Sequence, residues 1–276
     1  MDSFIGKCVV AGEVLSDFPV RKLLRYPHPV TVVLLDIEAL ARKIETPGQK
    51  YAITKYLSGR EQLTLETFAS EKRKNEWLGG RIAAKYAAAG LFEKKPGKHD
   101  ILHLPDLAIS AAKNGRPFLI ADSTAWKHGD IPDISISHSG SLAAAMATGK
   151  GFCGVDIQKI TPKVIKVQER FCTPAEKLIL QASFPWLPEM KTAALTKLWA
   201  AKETLRKVSN LEPLPGFLEM ELLEIHQELS QKRVPSWIFV CSLKRAGRPL
   251  NQKYGVFITL VKDYVLALTA RDDNVW

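Results

Sequence analysis

Two kinds of apolar pattern run along this chain. Val32-Val33-Leu34-Leu35 is a short unbroken apolar run closing on Asp36-Ile37, which predicts a buried strand at residues 30–37. Residues 44–57 read as helix, and a second helix lies within 63–89, where Trp77, Leu78, Ile82 and Tyr86 recur at helical spacing. Pro96 and Gly97 open a loop that runs to Pro105. Residues 108–110, 118–121, 134–137 and 142–148 are short and strand-like, separated by Gly, Asn and Pro. Another apolar run closes at Gly154-Val155-Asp156-Ile157-Gln158 and reads as a buried strand with a carboxylate at its tip. Thr173 is a natural N-cap for a helix at 174–182, and a longer helix follows at 191–208, beyond Pro185 and Pro188. Strand pairs at 237–243 and 254–270 finish the chain.

The pattern repeats once. Val32-Val33-Leu34-Leu35-Asp36-Ile37 parallels Cys153-Gly154-Val155-Asp156-Ile157, and the helical stretch from Trp77 to Lys85 parallels the one from Trp199 to Lys207. Gly115-Arg116-Pro117 returns as Gly247-Arg248-Pro249. A period this long is no solenoid unit and indicates two similar halves, 1–149 and 150–276.

Composition narrows the picture. A chain of 276 residues, 46% hydrophobic, buries a substantial core and is not disordered. Cys8, Cys153, Cys172 and Cys241 lack the paired spacing of a zinc site or disulfide framework, which suits a reducing compartment. No apolar stretch has the length of a membrane span and the first residues lack a secretory layout, so the expectation is a cytoplasmic protein with no membrane partner. The net charge of +10 predicts an anionic partner or simple solubility. Nucleic acid is the usual first candidate, but no Arg-rich tail, recognition-helix pattern or ribonucleoprotein-like aromatic strand accompanies the charge.

Chemistry concentrates in two stretches. An acid on a strand, Asp156, and an acid on a helix, Glu203, with Lys202 beside it, make a plausible Mg²⁺ and phosphate site, since Mg²⁺ takes one or two carboxylates and keeps waters. Read singly, Asp156 is a turn-capping strand end and Glu203 an exposed residue paired with Lys207 at i+4. Ser137-His138 invites a hydrolase reading, but the nucleophile-elbow pattern is missing and no acid partner is placed for it.

Gly154-Val155-Asp156 followed by Trp199-Ala200-Ala201-Lys202-Glu203-Thr204-Leu205-Arg206-Lys207 resembles the signature of the 4'-phosphopantetheinyl transferase superfamily, and the length suits its large monomeric Sfp-type branch. Lys72-Arg73-Lys74-Asn75-Glu76-Trp77-Leu78-Gly79-Gly80-Arg81, Asn114-Gly115-Arg116-Pro117-Phe118, Ile136-Ser137-His138-Ser139-Gly140 and Phe171-Cys172-Thr173-Pro174-Ala175-Glu176 match further elements in the family's order. The resemblance implies an α+β fold of two similar halves about a pseudo-two-fold axis, with the active site in the cleft. It implies Mg²⁺-dependent transfer of phosphopantetheine from coenzyme A to a serine of an acidic acyl or peptidyl carrier protein, releasing adenosine 3',5'-bisphosphate. The alternative is a non-catalytic basic binding module on a degenerate transferase fold. A different Mg²⁺-dependent phosphotransferase or hydrolase is a third reading.

By the same resemblance Asp156 and Glu203 are metal ligands, Lys202 lies on the pyrophosphate and can protonate the leaving group, and Lys207 contacts phosphate. Lys72, Arg73, Gly115, Arg116, Pro117, Ser137 and His138 frame coenzyme A. Many Sfp-type sequences carry Glu where this chain has Gln158; its amide oxygen can still reach a metal, but it cannot accept a proton, which leaves Glu203 as general base. For Arg81, a surface ion pair with Glu76 competes with a binding role. Phe184, Trp186 and Leu187 form either a carrier-docking patch or part of the core.

Overall fold

The first apolar run forms strand β1 (Val30–Asp36), and helix α1 (Ile37–Glu45) leaves it at once because the Asp36 carboxylate accepts the Ala39 amide at 2.8 Å as an N-cap. This computed structural model describes residues 8–9, 26–46, 50–92, 103–121, 131–209, 211–229, 235–245 and 248–272. The helix expected at 44–57 is therefore displaced upstream, and residues 50–56 form 3₁₀ turns instead. Most of the loop expected from Pro96, and Gly247, lie outside the described residues. The chain divides into two units, Met1–Ser16 with His28–Gly151 and Asp17–Pro27 with Phe152–Trp276.

In the first unit, α2 (Gly59–Glu66) and α3 (Glu71–Phe92) precede a two-stranded hairpin of β2 (Leu107–Ala111) and β3 (Pro117–Ala121). β4 (Asp133–Ser139) and β5 (Leu142–Thr148) complete an antiparallel sheet of order β1-β5-β4. Every residue of the central strand β5 is buried, four of its seven being alanines that let α3 lie close. Gly79 and Gly80 serve the same approach, since a Cβ on Gly80 would stand 2.9 Å from the Ile136 side chain.

In the second unit, β6 (Phe152–Lys159) leads through the short helix α4 (Lys163–Lys166) to α5 (Pro174–Ser183) and α6 (Pro188–Ser209). β7 (Met220–Leu229), β8 (Pro235–Arg245), β9 (Arg248–Val261) and β10 (Tyr264–Arg271) then form a five-stranded antiparallel sheet of order β6-β10-β9-β8-β7. Each unit thus combines antiparallel sheet with packed helices, and the fold is α+β. The long helix α6 packs on β6 and β10. Strand β7 went unpredicted because Met-Glu-Leu-Leu-Glu-Ile has helical propensity; pairing with β8 from Met220 to Leu229 overrides it.

The hydrogen bonds show that the two units repeat one design, but in a different register from the word matches. The β4–β5 and β9–β10 hairpins both turn over two residues, with Gly140 and Lys262 at φ 55°. The Ile37 amide donates to Ser141 O in one and the Ile160 amide to Asp263 O in the other. Asp36 opposes Leu142 while Lys159 opposes Tyr264, so Lys159 is the counterpart of Asp36 and Val33 that of Asp156. Asp156 consequently lies inside its strand rather than at the tip.

The helices obey a second correspondence. Lys85 Nζ, fully buried on α3, contacts Glu61 at 2.5 Å and the carbonyls of Tyr56 and Leu104; Lys202 Nζ, fully buried on α6, contacts Glu176 at 2.7 Å and the carbonyls of Phe171 and Phe217. Both glutamates close a capping box, Ser58–Glu61 and Thr173–Glu176, and both accept a strand amide, from Ile109 and Leu222. Lys85 is therefore the counterpart of Lys202, and Tyr86 stands where Glu203 does. Matching Trp77 to Trp199 slips the helices by five residues. Gly115 and Arg116 join β2 to β3, where Pro117 opens β3, whereas Arg248 and Pro249 open β9, the counterpart of β4, so those words are not equivalent either.

Candidate active site

In the second unit the site grows from a close approach of helix to strand. A Cβ on Gly154 would collide with the Thr204 carbonyl, so only glycine lets α6 settle on β6. Asp156 is two residues along β6 and 2% exposed; Glu203 precedes Thr204 and is partly buried. Lys207, one turn beyond Glu203, donates to Asp156 Oδ1 at 2.8 Å and to the Val155 carbonyl at 2.9 Å. Gln158 Nε2 donates to Asp156 Oδ2 at 3.0 Å.

Burial raises the Glu203 carboxyl above its ordinary pKa, and the Asp156 carboxylate pushes it further, against Lys207 and Arg206. Two neighbouring carboxylates beside one ammonium suit a divalent cation: two acidic oxygens with room for water and phosphate is the donor set Mg²⁺ prefers. Among the described residues no three His, Cys, Asp or Glu side chains gather. Gln158 meets Asp156 through its donor end, so it orients that carboxylate; to ligate a metal it would have to turn its amide over.

Lys202 points inward rather than toward the acidic pair. Its side chain has zero exposure and its three ammonium donors meet Glu176, Phe171 O and Phe217 O, so nothing is left for a pyrophosphate. Lys207, expected to pair with Glu203 at i+4, reaches the strand at Asp156 while its charge also bears on Glu203.

The first unit holds a pocket of about 440 Å³. Arg73, Gly115, Pro117 and His138, four of the residues expected to frame coenzyme A, line it. Gly115 has φ 82° in the β2–β3 turn, where Ala112 donates to the Arg116 carbonyl at 2.8 Å; that turn sets Pro117 at the rim. Three other expected residues are placed differently. Lys72 is largely exposed, 3.9 Å from Glu76. Arg116 pairs with Asp133 at 2.6 Å. Ser137 is buried on the face of β4 opposite His138, so the two side chains do not converge.

Of the pocket wall, sequence reasoning missed Phe68, while Trp77 lay in the quoted motif and Arg81 was weighed between a binding role and an ion pair with Glu76. Phe68 and Trp77 rings lie 5.6 Å apart, and the Arg81 guanidinium sits 4.9 Å from the Trp77 ring centre. Arg81 Nε is buried without a hydrogen-bond partner, and burial lowers its pKa against the opposing charge of Glu61. The i,i+4 spacing puts Trp77 and Arg81 on one helix face. Aromatic faces with guanidinium and imidazole edges suit a planar base carrying anionic groups. Phe184 belongs to the core, edge-on to Trp237 at 5.5 Å, while Leu187 is exposed and Trp186 half-buried against the core.

A buried Asp156 and a partly buried Glu203 stand beside a lysine in one unit, and an aromatic, cationic pocket lies in the other, arrangements suited to a divalent cation and to anionic groups. The profile of the 4'-phosphopantetheinyl transferase superfamily matches residues 152–269. Holo-[acyl-carrier-protein] synthase of Bacillus subtilis strain 168 is 35% identical over 113 residues, 40% of this chain and 88% of that protein. A 4'-phosphopantetheinyl transferase of Bacillus subtilis is 26% identical over 163 residues, 54% of this chain and 63% of its own length. Among solved structures, a holo-ACP synthase from Plasmodium yoelii overlaps 43% of this chain and 91% of its own, at 21% identity and a TM-score of 0.37. The chain belongs to the 4'-phosphopantetheinyl transferase superfamily and is a transferase of that class.

Proposed function

We propose that this protein transfers the 4'-phosphopantetheine group of coenzyme A to a serine of an apo acyl or peptidyl carrier protein, as an Sfp-type enzyme using Mg²⁺. The observation that carries this reading is the buried Asp156 carboxylate held by Lys207 beside the half-buried Glu203. Asp156 and Glu203 would hold the ion, which when bound neutralises pyrophosphate charge. Glu203 takes the proton of the carrier serine as the hydroxyl oxygen bonds to the phosphorus bearing pantetheine. The bond from that phosphorus to the bridging oxygen breaks, and adenosine 3',5'-bisphosphate leaves with the electron pair. Lys207 holds the Asp156 carboxylate in place. In the first unit Arg73 and His138 engage the nucleotide's anionic groups, and Trp77 with Phe68 offers its base an aromatic wall.

The test is incubation with coenzyme A, Mg²⁺ and a panel of apo carriers, read by intact mass. A gain of roughly 340 Da, the transferred arm, abolished in Glu203→Gln, is the expected result. Tight coenzyme A binding with no gain on any carrier would favour a binding module instead.

A further inference from the structure

The buried Glu176–Lys202 pair sits directly before the proposed metal ligand Glu203, yet its chemistry points inward. Glu176 closes the capping box of α5, accepts the Leu222 amide of β7 at 2.8 Å and meets Lys202 at 2.7 Å. Lys202 reaches two further segments, at Phe171 and Phe217. One ion pair therefore ties α6 to the start of α5, the loop before it and the first strand after α6.

The first unit is an internal control. Its Glu61–Lys85 pair repeats every one of these contacts: the capping box, the strand amide and the two carbonyls. Val33 and Tyr86 occupy the places of Asp156 and Glu203 there, so that half lacks both acids and keeps the tie. A contact that survives without the acidic site beside it is not part of phosphate chemistry.

We infer that Lys202 is a positioning residue: locked to Glu176, it sets the rotation and height of α6 over β6, and thereby presents Glu203 to Asp156. Resting on the transferase reading, this assigns the lysine of the Lys-Glu motif to holding the helix rather than the substrate. The single variant Lys202→Met strands a buried carboxylate, so Tm should fall by on the order of 10 °C. Well below that Tm, kcat should drop roughly ten- to a hundredfold with KM for coenzyme A unchanged, because a misplaced Glu203 acts on the chemical step.

The deciding variant is Glu176→Gln/Lys202→Met, which removes both charges. Positioning predicts that Tm and kcat both recover toward wild type, and that calorimetric coenzyme A affinity stays within about threefold. If Tm recovers while coenzyme A affinity remains down by about tenfold or more, the loss of a charge-assisted phosphate contact, the inference is overturned. Should the single variant not fold, Lys202→Arg serves beside the double one. A guanidinium satisfies a phosphate but not a sealed three-acceptor nest, so lost Tm and kcat support the inference and full activity sinks it. Affinity and Tm are read without a carrier, so failure of wild type to modify any carrier would remove the transferase reading and leave the lysine's role decided.

Discussion

Lys197 offers a test of how this fold tolerates charge. It lies on α6, 4% exposed, with its ammonium 4.4 Å from the Phe184 ring centre and 4.1 Å from that of Trp237. Burial lowers its pKa from 10.5 to about 8. At about 1.4 kcal/mol per unit, holding the folded lysine protonated below pH 8 costs on the order of 3 kcal/mol. Removing the ammonium forfeits its attraction to the two rings, up to about 2 kcal/mol. Lys197→Met should therefore stabilise the protein at pH 7 by about 1–3 kcal/mol. The sign of the pH dependence follows from proton counts: between pH 8 and 10.5 the unfolded lysine is protonated and the folded one is not, so stability rises with pH across that window. Urea unfolding of wild type and variant at half-unit steps from pH 7 to 10.5, taken as a difference, isolates Lys197 from other titrating groups. A constant difference, or a variant less stable at pH 7, would refute the reasoning and show that the aromatic contacts outweigh burial.

Glu203→Gln should lower kcat by roughly 10²–10⁴, whereas Gln158→Ala, which loses only an orienting hydrogen bond to Asp156, should weaken metal affinity and spare kcat; turnover at saturating Mg²⁺ separates them. Gly154→Ala should cost about 1–3 kcal/mol or more in unfolding, because the Thr204 backbone cannot yield without lifting α6. Arg81→Leu should fold normally and weaken coenzyme A binding at least about tenfold, measured by calorimetry; unchanged affinity would make its buried Nε a purely structural loose end.

Most strands and the Thr173 N-cap were legible because their signals are local: Leu142–Thr148 is a continuous apolar run and Thr173 stands directly before the helix it caps. The acidic motif was legible too, though Asp156 was placed at a strand tip because a charged residue after an apolar run looks like an end; Lys207 and Gln158 make its burial tolerable from outside that run. What sequence hid was the partner of each buried charge. Glu176 and Lys202 are separated by most of two helices, and nothing in either word announces the other. The same blindness slipped the repeat, because tryptophans matched by type while the positions that match by environment are lysines.

The two hairpins carry one more consequence. Gly140 and Lys262 hold the same φ of 55° at the same turn, but only glycine does so without steric penalty, and a lysine there costs about 1 kcal/mol or more. One half of the chain can thus serve as a design template for the other. Lys262→Asn would ease the strain without the added chain entropy of glycine, improving stability by up to about 1 kcal/mol. A duplicated protein of this kind holds its own consensus, readable wherever hydrogen bonds rather than letters set the alignment.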